Sequence, residues 1–147
     1  MDNKTQKKKR MGLTIYTGGT FDLFHYGHVN LLQKCSDMGR VVVSLNTDEF
    51  IYEYKKLRPV CDYEERRAVL LSCRYVDDVI PNVGGADSKD SICFVNPDII
   101  AIGSDWARKD YYAQMGFTQT WLDKKGISLI YIPYTKGISS TLIKQKI

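Results

Sequence analysis

The chain contains two histidines, His25 and His28, within the run Gly18-Gly19-Thr20-Phe21-Asp22-Leu23-Phe24-His25-Tyr26-Gly27-His28. Imidazole can donate a hydrogen bond or exchange a proton near neutral pH. A helix beginning near Tyr26 sets the rings three positions apart on its first turn, where both can face one small volume. The free N–H groups and partial positive charge of a helix N-terminus suit that volume to a phosphate. The same field opposes protonation, so neutral rings that donate hydrogen bonds are the expected state. Such donors are suited to charge spreading over an α-phosphoryl group in a transition state. An isolated H-x-x-H is as readily a structural pair; the Gly-Gly turn ahead of it, at the end of an apolar run, favours chemistry. Zinc fits poorly because no third strong ligand stands at suitable spacing. The glycines at 18, 19 and 27 do not match the G-x-G-x-x-G dinucleotide fingerprint.

A second hydroxyl-rich run, Gly137-Ile138-Ser139-Ser140-Thr141, precedes the last helical stretch. It reads either as an ordinary Ser N-cap after a glycine turn or as a second anion site for the β- and γ-phosphates. Lys55, Lys56 and Arg58 lie on the connection before Pro59, where a charge cluster is usually only solvated. Arg74 can be a cation at a helix C-terminus, and Asp105 can simply begin a helix.

These residues need a scaffold, and the apolar pattern supplies one. Leu13 to Tyr16 reads as a strand running into the glycine turn. Val29, Leu31, Leu32 and Cys35 recur at helical spacing until Gly39, and Val41 to Leu45 is a strand apolar nearly throughout, as in a parallel sheet covered on both faces. Asp62 caps a helix carrying Arg66 to Leu71. Further strands are predicted at Val76 to Ile80, closed by Pro81, at Asp98 to Gly103, and at Ile127 to Ile132. Gly84-Gly85 marks a loop, Ser88 to Phe94 a short helix, residues 107 to 126 a partly helical stretch, and Ser139 to Gln145 a final helix. Strands alternating with helices imply a single doubly wound parallel α/β domain over residues 12–147, behind a basic tail at residues 1–11. Ligands of such sheets bind at the strands' carboxyl ends, at the switch point flanked by the first and fourth strands. A residue such as Asp105 there can reach a ribose hydroxyl or a base edge beside Gly19 and Thr20.

Four segments carry a resemblance. Gly19 to His28 resembles the G-T-F-D-x-x-H-x-G-H signature of the cytidylyltransferase family, and Arg74-Tyr75-Val76-Asp77 its R-Y-V-D. Gly103-Ser104-Asp105-Trp106 resembles its G-x-D-W, and Gly137 to Thr141 its G-I-S-T-T. They stand in the family's order from residue 14 to 144, and the bacterial glycerol-3-phosphate cytidylyltransferases match best. The resemblance implies a Rossmann-like nucleotidyltransferase fold, a homodimer, Mg²⁺ accompanying the nucleotide, and direct transfer without a covalent intermediate. It implies that His25 and His28 hold the triphosphate and stabilise the pentacoordinate α-phosphorus, a role the residues also suggest unaided. It further implies that Lys55 reaches the phosphates or the acceptor and that Arg74 binds the acceptor phosphate. Gly19, Thr20, Phe21, Asp105, Gly137, Ile138, Ser139, Ser140 and Thr141 would surround the nucleotide. The implied reaction joins CMP from CTP to a small phosphorylated alcohol, sn-glycerol 3-phosphate foremost, and releases pyrophosphate. Where the family has R-T-x-G-I-S, this chain has Tyr134-Thr135-Lys136-Gly137-Ile138-Ser139, so a phosphate-binding arginine is replaced by Tyr134, a residue that could instead line the acceptor pocket. Lys136 or Arg108 could restore the charge. The 107–126 segment is longer than in the glycerol-phosphate enzymes and carries Tyr111, Tyr112 and Trp121.

Bulk properties narrow the alternatives. The net charge of +4 resides wholly in residues 1 to 10, where five basic residues face Asp2, and the remainder is formally neutral. A solvated tail therefore explains the charge better than a nucleic-acid surface does. No apolar run is long enough to span a bilayer and no apolar signal core follows the tail, so a cytoplasmic protein without membrane association is expected. Cys35, Cys61, Cys73 and Cys93 form no C-x-x-C pair and read as free thiols. Rival readings are a transferase using ATP or another phospho-acceptor, since I-S-S-T also occurs in related adenylyltransferases, and a non-catalytic nucleotide-binding module.

Overall fold

The computed structural model describes residues 12–83, 88–104, 112 and 115–147. The basic tail, Gly84-Gly85, Asp105, Trp106, Arg108 and Tyr111 lie outside the described residues. In chain order the elements are β1 (Thr14–Gly19), α1 (Tyr26–Met38), β2 (Arg40–Asn46), α2 (Asp48–Lys55), α3 (Tyr63–Ser72) and β3 (Asp78–Asn82). They continue with α4 (Lys89–Val95), β4 (Ile99–Gly103), α5 (Gln119–Lys125), β5 (Ser128–Ile132) and α6 (Ser140–Gln145). The strands form one sheet in the order β3-β2-β1-β4-β5, every pair parallel. The chain winds outward from β1 in both directions, which puts the switch point between β1 and β4.

Alternation along the strands splits the core in two. Ile15, Val41, Val43 and Leu45 pack on one face with Leu32 and Cys35 of α1 and Leu70 of α3. Tyr16, Ile100 and Ile102 pack on the other with Ile92 of α4, Phe117 and Leu122 of α5. β2, covered on both faces, is buried at every position after Arg40, which explains its nearly continuous apolar run. Gly39 ends α1 where a Cβ would stand 2.4 Å from the Leu13 carbonyl oxygen, so only glycine lets the helix turn back into the sheet there.

Two elements differ from expectation. The third strand begins two residues later than the hydropathy implies and contains Pro81; as an edge strand β3 pairs on one side only, with β2, where a missing N–H is tolerated. The connection after β2 is not a loop throughout: Thr47 accepts a hydrogen bond from Phe50 N–H and caps α2, which places Lys55 in the helix's last turn. Phe50 and Ile51 anchor α2, but exposed Tyr52 and Tyr54 between charged residues mask the periodicity. In the long segment before β5, residues 119–125 form a helix capped by Thr118.

Candidate active site

The chain leaving β1 turns sharply at Phe21 and Leu23, whose φ values of 50° and 53° lie in the left-handed region that bulky residues avoid. Asp22 between them holds the turn. Its carboxylate accepts from the backbone N–H groups of Leu23 (3.1 Å), Val60 (2.7 Å) and Cys61 (2.9 Å). The histidine motif is thereby tied to the strap joining α2 and α3. Buried Arg66, 2% exposed, secures the same junction from behind. It donates to the carbonyls of Thr20 (2.8 Å), Asn46 (2.9 Å) and Cys61 (3.0 Å) and pairs with Asp48 at 2.6 Å. Read from sequence, Arg66 is only a helical arginine; a charge among the apolar positions of α3 was the available signal.

The two imidazoles form a capping box at the start of α1. His25 is the N-cap, and its Nδ1 accepts from Gly27 N–H at 3.1 Å; Nδ1 of His28 accepts from His25 N–H at 3.1 Å. A backbone N–H can only donate, so each Nδ1 is unprotonated and each Nε2 carries the ring proton. The rings stack with centroids 3.8 Å apart, and Phe21 and Phe24 close around His28 at 5.1 and 5.6 Å. Burial is the main cause that pushes His28 down from 6.5 to about 3, with its neighbour His25 adding to the shift and Asp22 opposing it. Burial lowers His25 as well. Both rings are therefore neutral Nε2–H donors, as the motif suggests, though apolar packing is the dominant cause. Gly27 is required by the same geometry, since a Cβ there would stand 3.0 Å from Cε1 and 3.2 Å from Nδ1 of His25.

Among the described residues, two cavities open side by side at the carboxyl ends of the strands. The first, about 320 Å³, lies at the switch point between α1, β4 and the chain after β5, and includes His25, His28, Tyr134, Ile138 and Ser139. The second, about 550 Å³, lies over β2 and β3 beside α2 and α6, and includes Lys55, Arg58, Asn46, Asn82, Thr141 and Lys144. Gly18 to Phe21, His28 and Ser140 border both, so the imidazole of His28 stands where the two spaces meet. This layout suits a nucleotide in the first space and an acceptor in the second, with the reacting phosphorus at the join.

The residues singled out from sequence divide accordingly. Gly19, Thr20, Phe21, His25, His28, Ile138, Ser139, Ser140 and Tyr134 are brought to the first cavity, Lys55 and Thr141 to the second. Gly137 shapes the turn before α6 with φ +83°. Asp105 lies outside the described residues. Arg74 is not brought to either cavity: it precedes β3, at the amino end of the sheet, where its exposed guanidinium lies over Tyr75 at 5.3 Å. The strand Asp78–Asn82 separates it from the cavity end by about 13 Å. Lys136 lines neither cavity. Lys144, which no motif reading had singled out, does: its Nζ lies 4.0 Å from Asp22 Oδ2.

The hydroxyl run is more specialised than its sequence suggests. Ser139 Oγ accepts from Leu142 N–H and caps α6. Ser140 donates its proton to the Asp22 carbonyl at 2.6 Å, joining α6 to the histidine turn and leaving that proton unavailable to a phosphate. Tyr134 braces the approach to α6, donating its hydroxyl to the Ile138 carbonyl at 3.2 Å and its N–H to Ser104 Oγ at 2.9 Å.

The described residues contain no cluster of three or more side chains fit to hold a metal ion. Asp22, the carboxylate nearest the histidines in the motif, is engaged by three backbone N–H groups. No helix among the described residues is long and apolar enough to cross a membrane.

Comparison with known proteins identifies the family. Residues 16–146 match the cytidylyltransferase-like family model. The glycerol-3-phosphate cytidylyltransferase of Staphylococcus aureus is 38% identical over 134 residues, which span 90% of this chain and 93% of that protein. The Bacillus subtilis protein of the same name is 37% identical over 90% of this chain and 95% of its own length. An FAD synthase of Thermococcus kodakarensis is 33% identical over 67% of each chain. Among solved structures, a lipopolysaccharide core biosynthesis protein from Thermoplasma volcanium superposes with a TM-score of 0.67 at 27% identity, covering 86% of this chain and 98% of that one. Pantothenate synthetase from Thermus thermophilus, at 15% identity, TM-score 0.56, and coverage of 99% of this chain and 69% of its own, shares the fold alone. With a family match over nearly its whole length and a motif that folds into a pair of neutral imidazoles at the switch-point cavity, the chain belongs to the cytidylyltransferase-like family and is a nucleotidyltransferase.

Proposed function

We propose that the protein transfers CMP from CTP to a small phosphorylated alcohol, with sn-glycerol 3-phosphate the first candidate, giving CDP-glycerol and pyrophosphate. The observation that carries the reading is the histidine capping box at the join of the two cavities. It presents two neutral Nε2–H donors without requiring either ring to act as a base. A phosphate oxygen of the acceptor, already anionic, attacks the α-phosphorus; the bond to the oxygen bridging the α- and β-phosphorus breaks, and pyrophosphate leaves with that oxygen. No proton need be removed from the nucleophile, so positioning and charge stabilisation suffice.

Lys55, Arg58 and Lys144 give the second cavity positive charge suited to an acceptor phosphate and to the departing pyrophosphate. Mg²⁺ enters this reading as part of the substrate, carried by the triphosphate. Assembly as a homodimer belongs to the same reading, and sedimentation at assay concentration tests it. The activity named for the relatives that match nine-tenths of the chain supports CTP and glycerol phosphate. A second reading, ATP as donor, draws on the Ile138-Ser139-Ser140-Thr141 run and on Tyr134 in the arginine's place. A matrix of the four nucleoside triphosphates against phosphorylated alcohols, scored by pyrophosphate release, separates the two. Turnover with CTP and glycerol 3-phosphate is expected. Turnover with ATP alone, or pyrophosphate release with no phosphorylated alcohol among the substrates, sinks the proposal.

A further inference from the structure

We propose that Asn82, the last residue of β3, reads a hydroxyl group of the acceptor and thereby selects neutral polyol phosphates over acceptors that lack a hydroxyl or carry an ammonium group. This rests on the assignment of the second cavity to the acceptor.

Asn46 and Asn82 face each other in register at the carboxyl ends of β2 and β3, only 8% and 4% exposed, and both line the second cavity. A buried amide is costly unless its hydrogen-bonding groups are used. Here they are linked in one direction. Asn82 Nδ2 donates to Asn46 Oδ1 at 3.0 Å, Asn46 Nδ2 donates to Thr20 Oγ1 at 3.2 Å, and Thr20 Oγ1 meets the Tyr54 hydroxyl at 3.3 Å. In this arrangement each amide gives an N–H to the next group, and Asn82 Oδ1 is left at the head of the relay. It has no hydrogen-bond partner among the described residues. Native structures rarely leave a buried acceptor empty, and at a cavity wall a ligand is the natural donor.

The donor's chemistry follows from the same cavity. Oδ1 needs a proton, which a quaternary ammonium or an alkyl end does not have. A primary ammonium has protons, but it would sit in a cavity whose lining includes Lys55, Arg58 and Lys144 against the one carboxylate of Asp22, itself engaged by three backbone N–H groups, so the net charge opposes it. A neutral hydroxyl on a carbon beyond the phosphoester meets both conditions. The cations take the phosphate, and the amide relay, facing the same space from the ends of β2 and β3, takes the hydroxyl.

The test compares glycerol 3-phosphate with propyl phosphate, which keeps the three-carbon chain and lacks both hydroxyls, and with phosphoethanolamine. In the wild-type protein kcat/KM for glycerol 3-phosphate should exceed that for propyl phosphate by about tenfold, the size of one hydrogen bond, and phosphoethanolamine should be poorest. Asn82→Leu should abolish the preference by lowering glycerol 3-phosphate to the propyl phosphate level, with KM for CTP unchanged. Asn82→Asp, which keeps an acceptor oxygen, should retain a preference for the hydroxylated probe. A wild-type protein indifferent to the hydroxyls overturns the inference even if the leucine variant fails to fold. Equal losses on both probes, or a raised KM for CTP, also overturn it by making Asn82 a structural residue. Absence of wild-type turnover with every probe is a different result: it removes the acceptor reading itself, and this inference with it.

Discussion

At the scale of single residues, His25 and His28 each hold two roles that substitution can separate. Nδ1 caps the helix, and in the proposed reaction Nε2–H meets the substrate. Asn is a good N-cap and Gln a good third-position partner in a capping box, so His25→Asn and His28→Gln should keep the helix start while replacing each imidazole Nε2–H by an amide N–H on an arm of different reach. Loss of an oxyanion-type donor typically costs about 10²–10³ in kcat. Each variant is expected to fall by that order with its melting temperature nearly unchanged, and a variant turning over near the wild-type rate would remove the central claim. Acid sensitivity follows from burial of His28. Its folded value of about 3 lies below the ordinary 6.5, so the unfolded chain takes up the proton first. The contribution to stability is intact above pH 6.5 and is lost as pH falls toward 3, with a slope of at most about 1.4 kcal/mol per pH unit. Urea unfolding between pH 7 and 4 should therefore show a shallower loss for His28→Gln than for the wild type, and parallel curves would contradict the burial argument. Tyr134→Arg tests the departure from the family pattern. It should lower KM for the nucleotide or the acceptor, by an amount that shrinks with salt; unchanged kinetics for both would set residue 134 outside the site.

At the scale of elements, the site depends on joints between loops more than on any one helix. The strap carrying Arg58 is held to the histidine turn by Asp22, and both are backed by the guanidinium of Arg66 with its four hydrogen bonds. A lysine at this position keeps the charge but loses the planar fork that reaches three carbonyls and Asp48 together. Arg66→Lys is expected to destabilise the fold by on the order of 2–4 kcal/mol, measured by urea titration. KM for the acceptor should rise more than KM for CTP, because the strap borders the second cavity. Equal effects on both substrates would mean that the strap does not shape the acceptor site. α6 offers a contrast. Ser139→Ala should cost about 1 kcal/mol as a lost N-cap and raise KM for the nucleotide, whereas Thr141→Ala, at the second cavity, should leave stability nearly unchanged. A purely thermal effect at both positions would reduce the run to a cap.

At the scale of the whole molecule, a ligand held at the junction of β1, β4, α1 and the chain before α6 stabilises every element it bridges. CTP at about 100 times its Kd should add about 2.7 kcal/mol, a rise in melting temperature of about 5–10 °C for a domain of this size. ATP at the same concentration should add much less; the reverse order would favour the adenylyl reading. The tail carries the whole net charge, so a chain lacking residues 1–10 should keep its kinetics and show no steep change in salt dependence.

How far the sequence reaches is set by the range of the interactions involved. The sheet, its parallel sense and the β1–β4 switch point were legible because apolar runs of strand length alternating with helical periodicity admit few packings. The histidine pair was legible because His25 and His28 belong to a single helical turn, where spacing alone determines geometry. Lys55 was placed in the right region but on the wrong kind of element, since α2 is held mainly by two buried side chains, Phe50 and Ile51, and hides its periodicity. Arg66, Lys144 and the Asn46–Asn82 relay were not legible. Each acquires its role chiefly from partners far along the chain, as in Arg66 to Thr20, Lys144 to Asp22 and Asn82 to Asn46. Arg74 stands at the opposite end of the sheet from the two cavities, before β3, with its guanidinium over Tyr75. Local chemistry and element type were thus written in neighbouring residues, whereas the partition into two cavities, the burial that keeps His28 neutral and the arrangement of charge around the second cavity arise only when β1, β2, β3 and β4 are brought side by side.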